Sequence, residues 1–364
     1  MNTKERWIAA MTMKPVDRLP FWPKITGTHY LNIHKNRLPK QGMSIEELND
    51  YFGSDELLRL PEIVKTNRTK TASYVTESDG SRVTTYETPL GKTRQVHRYD
   101  AGSASMHPVE FPISNRSDLH IMTRFFEDAE ALLDEDGLQR AAEIVEARNG
   151  SISTMNWVGK SALMQFVENL AGVEQAHYLL ADHETDVVDL FEAIHRYQLK
   201  KTELIAKHSP ADAIYLIENT STTLISPGQF RTYCYRHLEE YGKILTGYGR
   251  IYALHMCGHL KALFPELSQS SATVFEAFTS PPVGNTRLID GRGSCPGACL
   301  VGGTNAVTWT MPTEDIIAYL NEELDALPHH RGIVVTSAGV MPPMCNPETI
   351  RAVAEWVRQY PVRN

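Results

Sequence analysis

Residues 249–267, GRIYALHMCGHLKALFPEL, contain the pattern that recurs through the second half of the chain. The segment RIYALHMC (250–257) is a short apolar run typical of a buried strand, and the segment that follows has helical spacing. His255, Cys257 and His259 stand at alternate positions where the first pattern gives way to the second. The stretch therefore predicts a strand that leads into a helix, with metal-binding types of side chain at the junction.

Similar strand-like segments alternate with longer amphipathic segments after residue 150. The predicted strands are SISTMNWV (151–158), AIYLIENT (213–220), RIYALHMC (250–257), ATVFEAF (272–278), ACLVGGTN (298–305) and GIVVTSAG (332–339). The predicted helices are 127–149, 182–208, 226–245, 313–327 and 346–360. Three of these helices begin with N-cap signals, at Ser226, Thr313 and Asn346. Strands that are repeatedly followed by helices indicate a parallel sheet with crossover connections.

The number of strands favours a closed (β/α)₈ barrel over an open sheet. RLPFWPKIT (18–26) is a predicted first strand, which brings the count close to eight. Residues 72–100 break the rhythm, because they alternate polar and apolar residues around SDGS and PLGK turns. They predict an antiparallel β-hairpin excursion inserted into one barrel domain of residues 1–364. No Gly-x-Gly-x-x-Gly or Walker-type motif follows a strand, so nucleotide binding has no support.

Composition excludes several other classes of function. Lys and Arg, 36 in all, are outnumbered by 44 Asp and Glu, and the net charge is −8, which argues against a nucleic-acid partner. The chain shows neither a signal-peptide pattern nor an apolar run of about 18 residues, so we expect a cytoplasmic protein without a membrane partner. The five cysteines are an odd number in a long chain, so we expect reduced thiols rather than disulfides.

Candidate site residues lie where the predicted strands end, since functional groups of parallel α/β folds collect there. His255 and Cys257, at i and i+2 of one strand, would point to the same face, and zinc accepts both side chains as ligands. A third ligand is needed, and Glu276 and Cys345 are both candidates. A packed strand end without metal remains the alternative, because cysteine is often simply buried.

Three further strand-end residues are candidates for substrate chemistry. Glu218 follows an apolar strand, so it is either a structural carboxylate or a group whose pKa is raised by burial for acid/base work. Asn219 and Trp157 end neighbouring strands and could contact a substrate.

The chain resembles the uroporphyrinogen decarboxylase superfamily over nearly its whole length, and within it the zinc-dependent methyltransferases that work with corrinoid proteins. The segments that carry the resemblance are TKERWIAAMTMKPVDRLPF (3–21), IENTSTTLISPGQFRTYCY (217–235), LHMCGHLKALFPEL (254–267), VFEAFTSPPVGNTRL (274–288), CLVGGTNAV (299–307) and VVTSAGVMPPMCNPETIRAVAEWV (334–357). This family is a (β/α)₈ barrel, in agreement with the strand count.

The resemblance implies a zinc site but does not complete its ligand set. The methyltransferases carry His-x-Cys and a later cysteine as ligands, and His255 and Cys257 match the first two. Gly339 stands where the later cysteine is expected. Either Cys345 takes its place or Glu276 completes the site, as a glutamate does in the similar zinc barrel of cobalamin-independent methionine synthase.

The same resemblance implies methyl transfer rather than decarboxylation. The tetrapyrrole decarboxylases carry arginines for substrate carboxylates near the N-terminus, whereas RLPFWPKITGTHYLN (18–32) has no arginine after Arg18. We therefore expect a zinc-dependent methyltransferase whose metal acts as a Lewis acid and whose partner is a separate corrinoid protein. An aromatic methyl ether is the favoured substrate, with Tyr30, Trp157 and Asn219 in contact with it and Glu218 catalytic. Transfer between a corrinoid and a thiol or pterin, decarboxylation, and homodimer formation all stay open.

Overall fold

Eight parallel strands form a nearly closed barrel in residues 1–25, 31, 34–101 and 105–364, the part of the chain that the computed structural model describes. The described residues contain fourteen strands, eight in the barrel and six in two smaller antiparallel sheets. All fourteen are β1 (Phe21–Trp22), β2 (Leu57–Arg59), β3 (Val64–Asn67), β4 (Ala72–Ser78), β5 (Ser81–Thr88), β6 (Gly91–Asp100), β7 (Ser105–Glu110), β8 (Glu130–Leu133), β9 (Ser153–Gly159), β10 (Ala213–Ile217), β11 (Ile251–His255), β12 (Val274–Phe278), β13 (Cys299–Gly303) and β14 (Ile333–Thr336). Their order in the barrel is β1-β14-β13-β12-β11-β10-β9-β2, and every adjacent pair is parallel. The predicted barrel is confirmed.

The strand that completes the barrel, β2, was not predicted. It has three residues, too few to show a period of two in the sequence. Asp55, just before β2, joins the two end strands of the sheet, because its N–H donates to the Phe21 carbonyl at 2.6 Å. Phe21 N–H in turn donates to the Asp55 carboxylate at 3.0 Å.

Helices cover the outside of the barrel. They are α1 (Thr3–Met11), α2 (Ile45–Phe52), α3 (Arg116–Glu127), α4 (Glu135–Ala147), α5 (Ala162–Gln165), α6 (Val173–Asp182), α7 (Glu184–His208), α8 (Pro227–Gln229), α9 (Arg236–Gly247), α10 (Phe264–Leu267), α11 (Leu288–Ser294), α12 (Thr313–Asp325) and α13 (Pro347–Gln359). Two π-helical segments, Phe166–Leu170 and Phe230–Tyr235, continue α5 and join α8 to α9.

Several predicted boundaries need correction. The predicted helix 127–149 is strand β8 followed by α4, because Ala131 and Leu133 lie on a strand that pairs with β3. The predicted N-cap Thr313 is the first residue of α12, and Pro312 precedes it. Ser226 is confirmed as an N-cap, since its hydroxyl accepts the Gln229 N–H at 3.1 Å.

The core has two layers, one inside the barrel and one between the barrel and its helices. Helix α1 covers the end at which the strands begin, because Lys4 donates its backbone N–H to the carbonyl of Ser151, just before β9. The ring of Trp7 on α1 packs edge-on against Trp22 at 5.5 Å inside the barrel. This end is therefore closed, and access to the barrel interior is from the end at which the strands finish.

Strands β4 to β7 form a four-stranded antiparallel sheet in the order β4-β5-β6-β7. The predicted hairpin over 72–100 is present, and β7 extends it by one strand. The sheet packs on α3 through Tyr86 and Phe125, whose rings lie 5.0 Å apart, and Gln95 donates to the Asn169 carbonyl at 2.8 Å. That residues 72–100 are an insertion into a single domain of residues 1–364 stays a prediction.

In the described part of the chain, none of the helices combines the length and the apolar character that crossing a bilayer requires.

Candidate functional site

His255 and Glu276 meet at the ends of adjacent strands. They are direct partners in the register of β11 and β12, and the Nδ1 atom of His255 is hydrogen-bonded to Oε2 of Glu276. Cys257 follows two residues after His255 and is one of the groups that raise the pKa of His255. On the other side, Lys24 donates to Oε1 of Glu276 at 2.8 Å from the loop after β1. Closure of the barrel thus brings four chemically active side chains together.

The charges in this group are mutually dependent. Burial alone would raise the pKa of Glu276, but His255 and Lys24 outweigh it and lower the pKa to about 2. Burial alone would lower the pKa of His255, but Glu276 and Cys257 outweigh it and raise the pKa to about 9. In the absence of a further ligand, the site is a buried carboxylate held between two cations.

The strand β11 ends at His255, so Cys257 lies two residues beyond it rather than on it. The predicted position of both residues on one strand is therefore wrong for Cys257. The Cys257 thiol also donates to Oδ1 of Asn219 at 3.4 Å. The Nδ2 group of Asn219 donates to Glu168 at 3.1 Å, which fixes the orientation of the amide toward the thiol.

Glu168 lies on the π-helical segment Phe166–Leu170 and links the site to a further cation, Lys160, with which it forms an ion pair. Its other oxygen, Oε1, is buried and has no hydrogen-bond partner among the described residues. Such a carboxylate oxygen next to Asn219 is an acceptor available to a bound group.

Glu218 is completely buried beneath the site. It accepts hydrogen bonds from the backbone N–H and the hydroxyl of Ser161, the latter at 2.7 Å, and the Cys234 thiol lies 3.7 Å away. Burial raises the pKa of Glu218 to about 7, against the lowering effect of the Ser161 bonds. In this position Glu218 holds the start of α5, and its predicted catalytic role stays a prediction.

Two tryptophans at the ends of barrel strands, the predicted Trp157 and also Trp22, lie beside cations. The guanidinium of Arg59 is 3.4 Å from the ring centroid of Trp157, and the Lys24 ammonium is 5.1 Å from that of Trp22. The indole N–H groups of both tryptophans are buried and unpaired within the described residues. Tyr30, the other aromatic residue predicted to contact the substrate, lies outside the described residues.

Backbone strain is concentrated at the ends of the barrel strands. Lys24, Asn219, Ala277 and Ala338 have φ angles of 54°, 50°, 59° and 63°, in the left-handed region that non-glycine residues rarely adopt. Each such residue costs about 1–3 kcal/mol, and they cluster at functional sites because the surrounding structure holds them. The distribution marks this end of the barrel as the site independently of the side chains.

The zinc prediction can be tested against the donors present. His255, Cys257 and Glu276 offer the nitrogen, sulfur and oxygen donors that zinc accepts, and His255 is already hydrogen-bonded to Glu276, so their chemistry fits the metal. Their present contacts are those of an ion pair. Over residues 1–25, 31, 34–101 and 105–364, no group of three or more His, Cys, Asp and Glu side chains is arranged around a common point.

The other predicted ligand, Cys345, lies in the loop after β14 and is buried. Its thiol is 3.6 Å from the Asn346 carbonyl, and burial raises its pKa to about 12. Its role as a ligand stays a prediction. All five cysteines are free thiols, which includes Cys295 and Cys299 at the opposite end of the barrel.

Lys24, Arg59 and Glu168 were missed by the sequence analysis. Lys24 follows the first strand directly in FWPK, so its position at a strand end was the available signal. Arg59 ends a strand too short to predict. Glu168 has the pattern of an ordinary helical residue, and only the tertiary structure brings it to Asn219.

The fold and the strand-end site define a parallel α/β barrel of the kind found in enzymes. The sequence model of the uroporphyrinogen decarboxylase (URO-D) family matches residues 169–360, which is more than half of the chain. The protein belongs to this family.

Comparison with solved structures supports the fold. The structure is similar to a methyltransferase from Methanosarcina mazei, with a TM-score of 0.59 and 16% identity over 98% of each chain. A proposed vitamin-B12-independent methionine synthase from Listeria monocytogenes matches with a TM-score of 0.39 and 11% identity, over 94% of this chain and 96% of the other. The pneumococcal virulence factor StrH matches with a TM-score of 0.32 and 10% identity, over 60% and 62%. A search of curated protein sequences found no significant match.

Proposed function

We propose that the protein is a zinc-dependent methyltransferase that moves a methyl group between a small substrate and a corrinoid protein. The observation that carries the proposal is the hydrogen bond between His255 and Glu276 at the ends of adjacent barrel strands, with Cys257 two residues beyond His255. These three residues would hold the zinc, with Cys345 as the alternative third ligand. Bound zinc supplies a Lewis acid that polarises the heteroatom carrying the methyl group.

The surrounding residues would position ligands and substrate. Asn219 orients the Cys257 thiol, and the unpaired Oε1 atom of Glu168 can accept a hydrogen bond from a substrate hydroxyl. Lys24 keeps Glu276 ionised, since it pairs with the oxygen that does not face His255.

An aromatic methyl ether remains the favoured substrate. Trp22 and Trp157 supply flat apolar surfaces against which an aromatic ring can pack. Methyl transfer to a thiol or a pterin would use the same three zinc-binding residues, and substrate assays separate these alternatives.

Decarboxylation of a polycarboxylate is less well supported. Each cation described here at the mouth is paired with a carboxylate: Lys24 with Glu276, Lys160 with Glu168, and Arg59 with Glu62. A substrate with several carboxylates would need cations that are free to bind it.

The first test is metal content. We expect about one zinc per chain by elemental analysis. The variants His255→Ala and Cys257→Ser should lose the metal and keep their far-UV circular dichroism, whereas His259→Ala, two residues further on, should retain it. Glu276→Gln and Cys345→Ser compared side by side identify the third ligand. Wild-type protein without zinc, or zinc retained by His255→Ala, would contradict the proposal, and unfolding on zinc removal would indicate a structural metal.

The second test is activity. The zinc-loaded protein is incubated with a panel of methoxyaromatic compounds and reduced cobalamin, and methylcobalamin is followed by its absorbance. We expect product with at least one methoxyaromatic compound and none with His255→Ala. Product only from methylcobalamin and a thiol would reverse the direction of transfer, and no methyl transfer in either direction would contradict the proposal.

A further inference from the structure

The edge of the four-stranded sheet formed by β4 is open. Among the described residues, strand β4 pairs only with β5, on one side, and all seven of its residues are exposed. Tyr74 and Val75 expose 46% and 45% of their surface, which is unusual for large apolar residues of a strand. An open edge of this kind offers a row of backbone donors and acceptors to another strand.

The turn between β4 and β5 decides which backbone groups point outward. Asp79 and Gly80 have φ angles of 46° and 72°, which is the signature of a two-residue type I′ hairpin turn. Ser78 and Ser81 flank this turn and are direct partners, so they bond to each other. The backbone N–H and C=O groups of successive residues point to opposite sides of a strand. The residues whose backbone groups bond to β5 are therefore Ala72, Tyr74, Thr76 and Ser78.

It follows that Ser73, Val75 and Glu77 direct their N–H and C=O groups away from the sheet. Within the part of the chain that the structure describes, these backbone groups have no hydrogen bond to any other element. The carboxylate of Glu77 is 3.5 Å from Arg82 on β5, so its side chain does not cover the edge.

The opposite edge of the sheet is protected and β4 is not. Strand β7 contains Pro108, which lacks an N–H group, and its pairing with β6 is shifted by a bulge at Val96 and His97. Both features hinder strand addition. Strand β4 has a regular register with β5 and contains neither proline nor lysine.

We propose that a second copy of the chain adds to this edge, with the two β4 strands antiparallel about a two-fold axis at Val75. This is the register in which every outward group has a partner: Val75 faces Val75 of the other copy, and Ser73 faces Glu77. On the other face of the sheet, Tyr74 of one copy then lies opposite Thr76 of the other copy. No like charges are opposed, and about six backbone hydrogen bonds form.

The self-complementarity favours a second copy over an unrelated peptide. A two-fold contact requires that one strand satisfy itself, and the sequence SYVTE (73–77) does so in the register set by the turn. The two sheets become one continuous sheet of eight strands. The contact area of one strand pair is small, so we expect a dimer in the micromolar range rather than a permanent one.

The test measures mass in solution by sedimentation equilibrium, from about 1 to about 100 μM protein. We expect a monomer–dimer equilibrium for the wild type. Val75→Lys places two like charges opposite each other and should raise the dissociation constant at least about tenfold. The matched control is Val109→Lys, since Val109 is an equally exposed valine, 52%, on the protected edge strand β7, and it should leave the dissociation constant unchanged.

Cross-linking tests the register directly. The two Val75 Cα atoms would lie about 5.5 Å apart, within the range of a disulfide. Val75→Cys should therefore form a disulfide-linked dimer under mild oxidation, with the bond assigned to residue 75 by peptide mass spectrometry, while Val109→Cys and the wild type should not. A monomeric wild type at all concentrations, or a dimer that Val75→Lys leaves intact, would overturn the proposal. Neither experiment requires zinc or methyl transfer, so the result is independent of the proposed function.

Discussion

Glu276 and Glu218, two buried carboxyl groups at the strand ends, differ in their protonation state. Glu276 is ionised because two cations face it, and its negative charge is therefore part of the site. Glu218 is equally buried but has only neutral hydrogen-bond partners, Ser161 above all, so its burial favours the protonated form. Both carboxyl groups lie at the end of an apolar strand in the sequence, but the pKa of Glu276 is lowered and that of Glu218 is raised.

The pH dependence of stability should reveal Glu218. Its folded pKa of about 7 is above the ordinary value of 4.5, so between these values the folded protein binds more protons than the unfolded chain. The free energy of unfolding should therefore decrease as pH rises through this window, by up to about 3 kcal/mol from this group. Glu218→Gln, which keeps the size of the side chain and one of the two oxygens that accept from Ser161, should remove this part of the decrease.

Urea unfolding at about pH 5 and about pH 8 measures the effect. Glu314→Gln, which changes an exposed carboxyl group on α12, is the control and should leave the pH dependence as in the wild type. A wild-type slope that survives in Glu218→Gln would show that Glu218 is ionised in the folded protein.

Among the elements, the two π-helical segments show how local geometry serves the site. The predicted helix over 226–245 is present, but its turn Phe230–Tyr235 is π-helical and places Cys234 against Ser161. The segment Phe166–Leu170 likewise directs Glu168 to Asn219. Such bulges occur often at functional sites, and helical periodicity alone does not reveal them.

Helix α9 offers a test of element packing with two glycines. A Cβ atom at Gly242 would lie 1.9 Å from the Ser271 hydroxyl and 2.8 Å from the Tyr252 ring, whereas one at Gly247 would meet nothing within 4 Å. We expect Gly242→Ala to lower the free energy of unfolding by about 1–3 kcal/mol, because overpacking outweighs the helix propensity of alanine.

Gly247→Ala, in the same helix, is the matched variant. It should raise the free energy of unfolding by up to about 1 kcal/mol, since alanine restricts the unfolded chain and favours the helix. Urea denaturation of both variants checks the pair, and equal effects would contradict the close contact of α9 with β11.

In the whole molecule, closure of the barrel depends on a buried ionic group between its end strands. The Asp55 carboxylate accepts bonds from Arg6 at 2.8 Å and from Arg18 at 2.6 Å, as well as from the Phe21 N–H. Only 1% of the Asp55 side chain is exposed. Its backbone also joins β1 to β2, so one residue connects the two edges of the sheet.

Asp55→Ala should lower the free energy of unfolding by about 3–5 kcal/mol, because Arg6 and Arg18 then lose the buried carboxylate that pairs with them. Asp17→Ala is the control: Asp17 also pairs with Arg6, but 41% of its side chain is exposed, so we expect a loss of about 1 kcal/mol or less. Urea unfolding followed by tryptophan fluorescence measures both, since Trp7 contacts Asp55. Equal losses would show that the buried pairing adds nothing to stability.

The sequence by itself determined the strand and helix alternation and the polar residues at the strand ends, because periodicity is a local property of the chain. His255, Glu276 and Asn219 were found in this way. Only the tertiary structure decided that Lys24 contacts Glu276 across 252 positions, that Glu168 holds Asn219, and that three residues at Leu57–Arg59 complete the barrel. These contacts exist because the barrel brings the ends of strands that are distant in the sequence to one mouth, and a local sequence pattern does not show which of them will meet.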